Sequence, residues 1–183
     1  GQNSPFFQAL VPSWTDATRK YYSIEGNKIL QHQPDSTFLL LRNINETDYA
    51  DLKTAAERIA NENNESVLLT DGEYFQPSIA KGNINNPYMA NALKTWLKKG
   101  HDVYILSEPY VEPYKGQNFN KKRFYILFTD WRLKGNIYER IMQTVNLDQF
   151  PQVEVFHLSA DHPQLMSKNA QTTEPNQHLN AKV

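Results

Sequence analysis

From residue 37 to residue 158 the chain alternates short apolar runs with stretches of helical period, and this alternation limits its fold more than any other feature. Apolar runs at 37–41, 67–70, 103–106, 124–128 and 153–158 have the length of strands. Between them, residues 46 to 62 place Tyr49, Leu52, Ala56 and Ile59 on one helical face, with Asn45 as a cap. A second helix is expected over 87–99, capped by Asn86, opened by Pro87 and striped by Met89, Leu93, Trp96 and Leu97. Lys98, Lys99 and Gly100 suit its carboxyl end. Ile137, Ile141 and Val145 mark a third over 136–146. Strand and helix in turn argue an α/β protein. A connection as long as 42–66 can hold a crossover helix. The expected fold is a doubly wound, mainly parallel central sheet with helices on both faces.

The amino-terminal part reads differently. Ser4 and Pro5 open a short helix that Pro12 should bend or stop. Tyr21 to Ile24 and Lys28 to Leu30 are strand-like around the turn Glu25-Gly26-Asn27, which predicts a hairpin. Residues 74 to 86 and 109 to 122 are expected as loops, the second rich in Pro, Gly, Tyr and Asn. Residues 1–161 read as one α/β domain, and the polar, aperiodic residues 162–183 as a tail or linker.

Composition removes several function classes. A net charge of −1 leaves no basic footprint for nucleic acid. No run approaches the ~20 apolar residues of a membrane span, and mean hydropathy is −0.67, which suits a soluble protein. The absence of cysteine excludes disulfides, thiol catalysis and thiolate zinc sites. The start Gly1-Gln2-Asn3 lacks an initiator Met, as a trimmed leader or tag would leave it. Asn45-Glu46-Thr47 and Asn64-Glu65-Ser66 match glycosylation sequons, which matter only in a eukaryotic secretory pathway. The compartment stays open, with an extracytoplasmic setting favoured.

The stretch Ser66-Val67-Leu68-Leu69-Thr70-Asp71-Gly72-Glu73 places a carboxylate where an apolar strand gives way to a loop. In a parallel sheet that is the rim of the ligand crevice. The plainer reading is a turn, with Gly72 at positive φ and Asp71 bonding its own backbone. Leu106-Ser107-Glu108, Phe128-Thr129-Asp130 and Leu158-Ser159-Ala160-Asp161 repeat the pattern of a hydroxyl residue with an acid close by. Four acids on one rim would suit a hard cation such as Mg²⁺. If residues 109–122 join an antiparallel pair instead, Asp130 goes to the opposite edge. No histidine pair has helical zinc spacing, and no nucleophile elbow or phosphate loop is present. His157 reads as a half-buried structural residue.

The order of elements over residues 4 to 107 resembles a von Willebrand factor A-like domain. Thr70-Asp71-Gly72 after Val67-Leu68-Leu69 is similar to that family's Thr-Asp-Gly, and Thr47-Asp48 to its Thr motif. The resemblance implies a binding module with a metal-ion-dependent adhesion site, in which Asp71 and Thr47 help hold Mg²⁺ and the ligand is another protein. The family's Asp-x-Ser-x-Ser motif does not occur here, so the site is incomplete: either the first strand and that motif lie upstream of Gly1, or the chain is not of that family. One carboxylate and one hydroxyl make a poor Mg²⁺ cage, so weak or absent binding is expected of this chain alone. Two alternatives stand beside this reading. One is a Mg²⁺-dependent hydrolase or phosphoesterase using Asp71 with Glu108, Asp130 or Asp161. The other is a metal-free interaction domain.

Overall fold

The computed structural model describes residues 4–14, 19–26, 28–33, 50–72 and 89–160. Helix α1 spans Pro5–Trp14, and Ser4 Oγ accepts the N–H of Phe7 at 3.0 Å. Pro12 lies inside this helix, which runs two residues past it rather than stopping there. Strands β1 (Tyr21–Glu25) and β2 (Lys28–His32) form the expected hairpin as a separate two-stranded antiparallel sheet. Helix α2 covers Leu52–Asn61. Its cap is Asp51, whose Oδ1 accepts the N–H groups of Lys53 and Thr54 at 3.1 and 3.2 Å. The helix therefore begins later than its apolar period suggested. Helices α3 (Ala90–Leu97) and α4 (Ile137–Thr144) fall within the expected spans. The strand expected at 37–41, the Asn86 cap and the tail 162–183 lie outside the described residues.

The main sheet overturns the expected topology. Strands β3 (Ser66–Thr70), β4 (Asp102–Tyr114), β5 (Gln117–Thr129) and β6 (Glu154–Ser159) lie in the order β3-β5-β4-β6. Every neighbouring pair is antiparallel, so this is not a mainly parallel, doubly wound sheet of the von Willebrand A or Rossmann kind. β3 and β4 do point the same way across α3, but β5 lies between them and runs against both. The stretch expected as the loop 109–122 is strand, closed by the two-residue turn Lys115-Gly116. Both turn residues have positive φ, 49° and 79°, as a type I′ hairpin turn requires.

Helices cover both faces of this sheet, which explains the misreading of strand direction. On one face α1 and α4 set Phe6, Leu10 and Ile141 against Tyr104, Leu106, Tyr125 and Leu127. On the other, α2 and α3 set Leu52, Ala56 and Trp96 against Leu68, Val103, Ile126 and Phe128. A strand buried on both faces reads as a continuous apolar run, the usual mark of parallel sheets. Here the double cover produces the same run in an antiparallel sheet.

The prolines of β4 occupy harmless positions. Counting from the turn, Tyr114 and Gln117 form its hydrogen-bonded closing pair, so Pro109 and Pro113 fall at positions whose N–H would point away from β5. β6 pairs only as far as Ser107, so no described partner awaits those N–H groups.

Candidate functional site

Register decides which candidate residues meet. Thr70 lies opposite Phe124, and Phe124 opposite Ser107, so Asp71 and Glu108 belong to one end of the sheet. Asp102 and Thr129 are paired at the other end, which carries Asp130 away from Asp71. The acids at the strand ends therefore do not share a rim. Thr47 and Asp161 lie outside the described residues. β3 is an edge strand of the described sheet, and Asp71 follows its carboxyl end.

The local structure at Asp71 is a turn. Thr70 Oγ1 accepts the N–H of Gly72 at 3.0 Å. Gly72 has φ +74°, and a Cβ there would stand 2.8 Å from Phe124 Cε2. Glycine is required both by conformation and by the ring packed on it. Among the described residues no group of three or more His, Asp or Glu side chains is placed to hold a metal ion.

Glu108, beside this turn, is buried and engaged. Its Oε2 accepts the hydroxyl of Tyr125 at 2.6 Å, with Arg123 Nη1 at 3.5 Å. The Arg123 guanidinium lies 5.2 Å from the centre of the Tyr110 ring. Burial, then the bond to Glu108, pushes the Tyr125 hydroxyl far above its usual range. Burial also raises Tyr110, helped by the nearby Asp71 and Glu112 carboxylates. Glu108 is thus a buried acceptor held by a phenol and a cation, and not a carboxylate turned toward a substrate.

The opposite end holds two further buried polar groups. Asp102 Oδ2 and His157 Nε2 are 3.0 Å apart, with both side chains 1% exposed. The His157 ring stacks on Tyr104 at 4.3 Å, and Tyr104 on Tyr138 at 3.6 Å. A histidine–carboxylate pair is the core of many acid–base sites. This one is sealed from solvent, and what it does is fasten the edge strand β6 to β4. Glu65, at the start of β3, accepts the N–H groups of Asp130 at 3.1 Å and Ile137 at 3.2 Å. It thereby fixes the first turn of α4, where a negative charge is favoured. Burial pushes its carboxyl up, while the two N–H groups pull it down.

The feature that composition and pattern did not disclose is the outer half of the β4–β5 pair. β3 pairs with β5 no further than Phe124, and β6 with β4 no further than Ser107. Beyond those points residues 108–114 and 117–123 continue as a two-stranded arm. Val111, Tyr114 and Phe119 on it are 55%, 57% and 42% exposed. Tyr114 and Phe119 lie on one side with ring centres 6.5 Å apart, and Lys115 Nζ stands 5.0 Å from the Tyr114 centre. The other charges of the arm are paired: Glu112 with Lys121, Lys122 with Glu154 at 2.6 Å, and Arg123 with Glu108. Alternation of Tyr110, Glu112 and Tyr114 with Val111 and Pro113 was the available signal.

Compared with protein-family models, with curated proteins and with solved structures, the chain has no significant match.

Proposed function

We propose that this chain is a protein-binding module that makes its contact through the β4–β5 arm, residues 108–123. The observation that carries the reading is the exposed pair Tyr114 and Phe119 at the end of a ribbon extending past both neighbouring strands. Large aromatic side chains with few rotatable bonds are favoured anchors at protein interfaces. The arm is held in shape by its I′ turn and by the Glu112–Lys121 pair, so little ordering remains to be done on contact. Internal pairing of its other charges leaves Lys115 as the cation at the tip. The fitting partner is a protein offering an apolar socket for two rings, with a carboxylate for Lys115. No metal and no reaction enters this reading. A hydrolase would need several free carboxylates at one point, whereas Asp71 and Asp130 lie at opposite ends and Glu108 is bound to Tyr125.

The test places a photo-crosslinking residue at Phe119, and at Lys53 on α2 as a control, in cells that make the protein. The expected result is one predominant adduct from position 119 and none of that mass from position 53. Tyr114→Ser with Phe119→Ser should weaken binding of the isolated partner by about tenfold or more for each ring, with the circular dichroism unchanged. Unchanged affinity would refute the reading. An adduct of twice the chain mass, with a dimer that the double variant splits, would make the occupant a second copy instead.

A further inference from the structure

The connection between β5 and α4 carries a polar cluster that the arm does not use. His101, just before β4, is 4% exposed and packs against Trp96 with ring centres 4.4 Å apart and planes tilted by 36°. Its Nδ1 faces two groups of opposite demand. Arg132 Nη2 lies 3.4 Å away and Asp130 Oδ1 also 3.4 Å away. An imidazole nitrogen without a proton accepts, and with a proton it donates. The neutral ring with its proton on Nε2 can therefore take the guanidinium N–H at Nδ1 but not bond the carboxylate there. The protonated ring can bond the carboxylate but repels the guanidinium.

We propose that His101 is a proton-operated latch on the turn at residues 130–135. With the ring neutral and its proton on Nε2, Arg132 is held between His101 and Asp130, to which it makes bonds of 2.9 Å through Nε and 3.1 Å through Nη2. With the ring charged, Asp130 bonds His101, and Arg132, whose side chain is more than half exposed, leaves for solvent. The imidazole cannot swing aside, because Trp96 packs on it and Trp96 Nε1 is bonded to the Asp102 carbonyl at 2.9 Å. The change passes instead into the turn. That turn carries Trp131 and Leu133, both substantially exposed, and Trp131 Nε1 donates to the Gly100 carbonyl at 2.8 Å. Gly100 adjoins His101, so the latch and the clip share one hinge.

Among the described residues, the charged groups that bear on His101 are few. From the turn they are Asp130 and Arg132, and from the end of α3 Lys99. Asp102 follows in the chain, but its carboxylate is bonded to His157. Burial lowers the imidazole below its usual value, Asp130 opposes this, and Arg132 and Lys99 add to it. The latch thus stays closed at neutral pH and opens on acidification below ~6.5.

Proton NMR titration of the whole chain tests the proposal, following the His101 ring and the indole N–H of Trp131, the latter assigned with Trp131→Phe. The expected result is a Trp131 shift with the same midpoint as His101, absent in His101→Gln. Arg132→Gln removes a repelling cation and should raise that midpoint by roughly half a unit or more, while Asp130→Asn should lower it. A Trp131 resonance that stays fixed while His101 titrates overturns the latch. So does an unchanged midpoint in Arg132→Gln, a variant at an exposed side chain that decides the matter even if His101→Gln does not fold.

Discussion

The two halves of β4 belong to one strand and keep one register with β5, but only the inner half also pairs with β6, and they live in different surroundings. Residues 102–107 are almost wholly buried beneath helices on both faces, while the outer residues alternate between half-buried and exposed. The inner half is apolar, with Asp102 bonded to His157 among its buried polar groups. The outer half is rich in Pro and Tyr, and its Glu112 pairs with Lys121 across the hairpin. Pairing with β5 alone therefore does not bury a strand: the buried half is the one that is covered by helices and also flanked by β6, and Glu108 marks where it ends.

Substitutions can sharpen this contrast, and the inner half should show the largest effects. Trp96 is fully buried, meets Phe128 edge-on at 5.7 Å and bonds the Asp102 carbonyl. Trp96→Ala should cost ~3–5 kcal/mol in urea unfolding. Glu108→Ala strips the Tyr125 hydroxyl of its acceptor and Arg123 of its ion-pair partner at the boundary, and should cost roughly 2–3 kcal/mol. Glu108→Gln keeps an acceptor and should cost less. Gly72→Ala forces a side chain into a left-handed backbone and against Phe124, for a loss of about 1–2 kcal/mol, or more if the ring cannot yield.

The pH dependence follows from His101. Its folded value is depressed, so the unfolded chain takes up the proton first. Stability contributed by the neutral ring is complete above ~6.5 and is lost as pH falls through the folded value. Thermal melts of Arg132→Gln should show a smaller loss, complete at higher pH than in the wild type, because the folded value moves up toward the unfolded one. The smallest effects belong to the arm. Tyr114→Ser and Phe119→Ser should each change stability by no more than ~0.5 kcal/mol. A large loss in either would mean that the arm is part of the core, and the contrast between the halves would fail.

Much of the local structure was legible in the chain. The periods around Leu52 and Ala56, Leu93 and Trp96, and Ile137 and Ile141 mark real helices, because each helix buries one stripe. Strand direction was not legible, since Val103 to Leu106 and Phe124 to Phe128 read the same whichever way they run when both faces are covered. The arm was hidden by its composition. Proline and glycine argue for a loop unless the register shows that the prolines sit where no N–H is needed. Asp102 and His157 are far apart in the chain, and nothing short of register brings them together. Thr70-Asp71-Gly72 serves a turn as well as it serves a metal, and here Gly72 answers to φ and to Phe124.

The type I′ turn at Lys115-Gly116 also bears on how the chain reaches this fold. It joins the two strands at the centre of the sheet, so the most central pairing is at once the most local in sequence. Closing such a hairpin takes microseconds, whereas contacts between distant segments are delayed by loop-closure entropy. β4 and β5 can therefore zip outward from the turn and present two edges, on which β3 and β6 arrive later from either side. Slowing that zipper, for example with Gly116→Val, should retard refolding far more than it hastens unfolding.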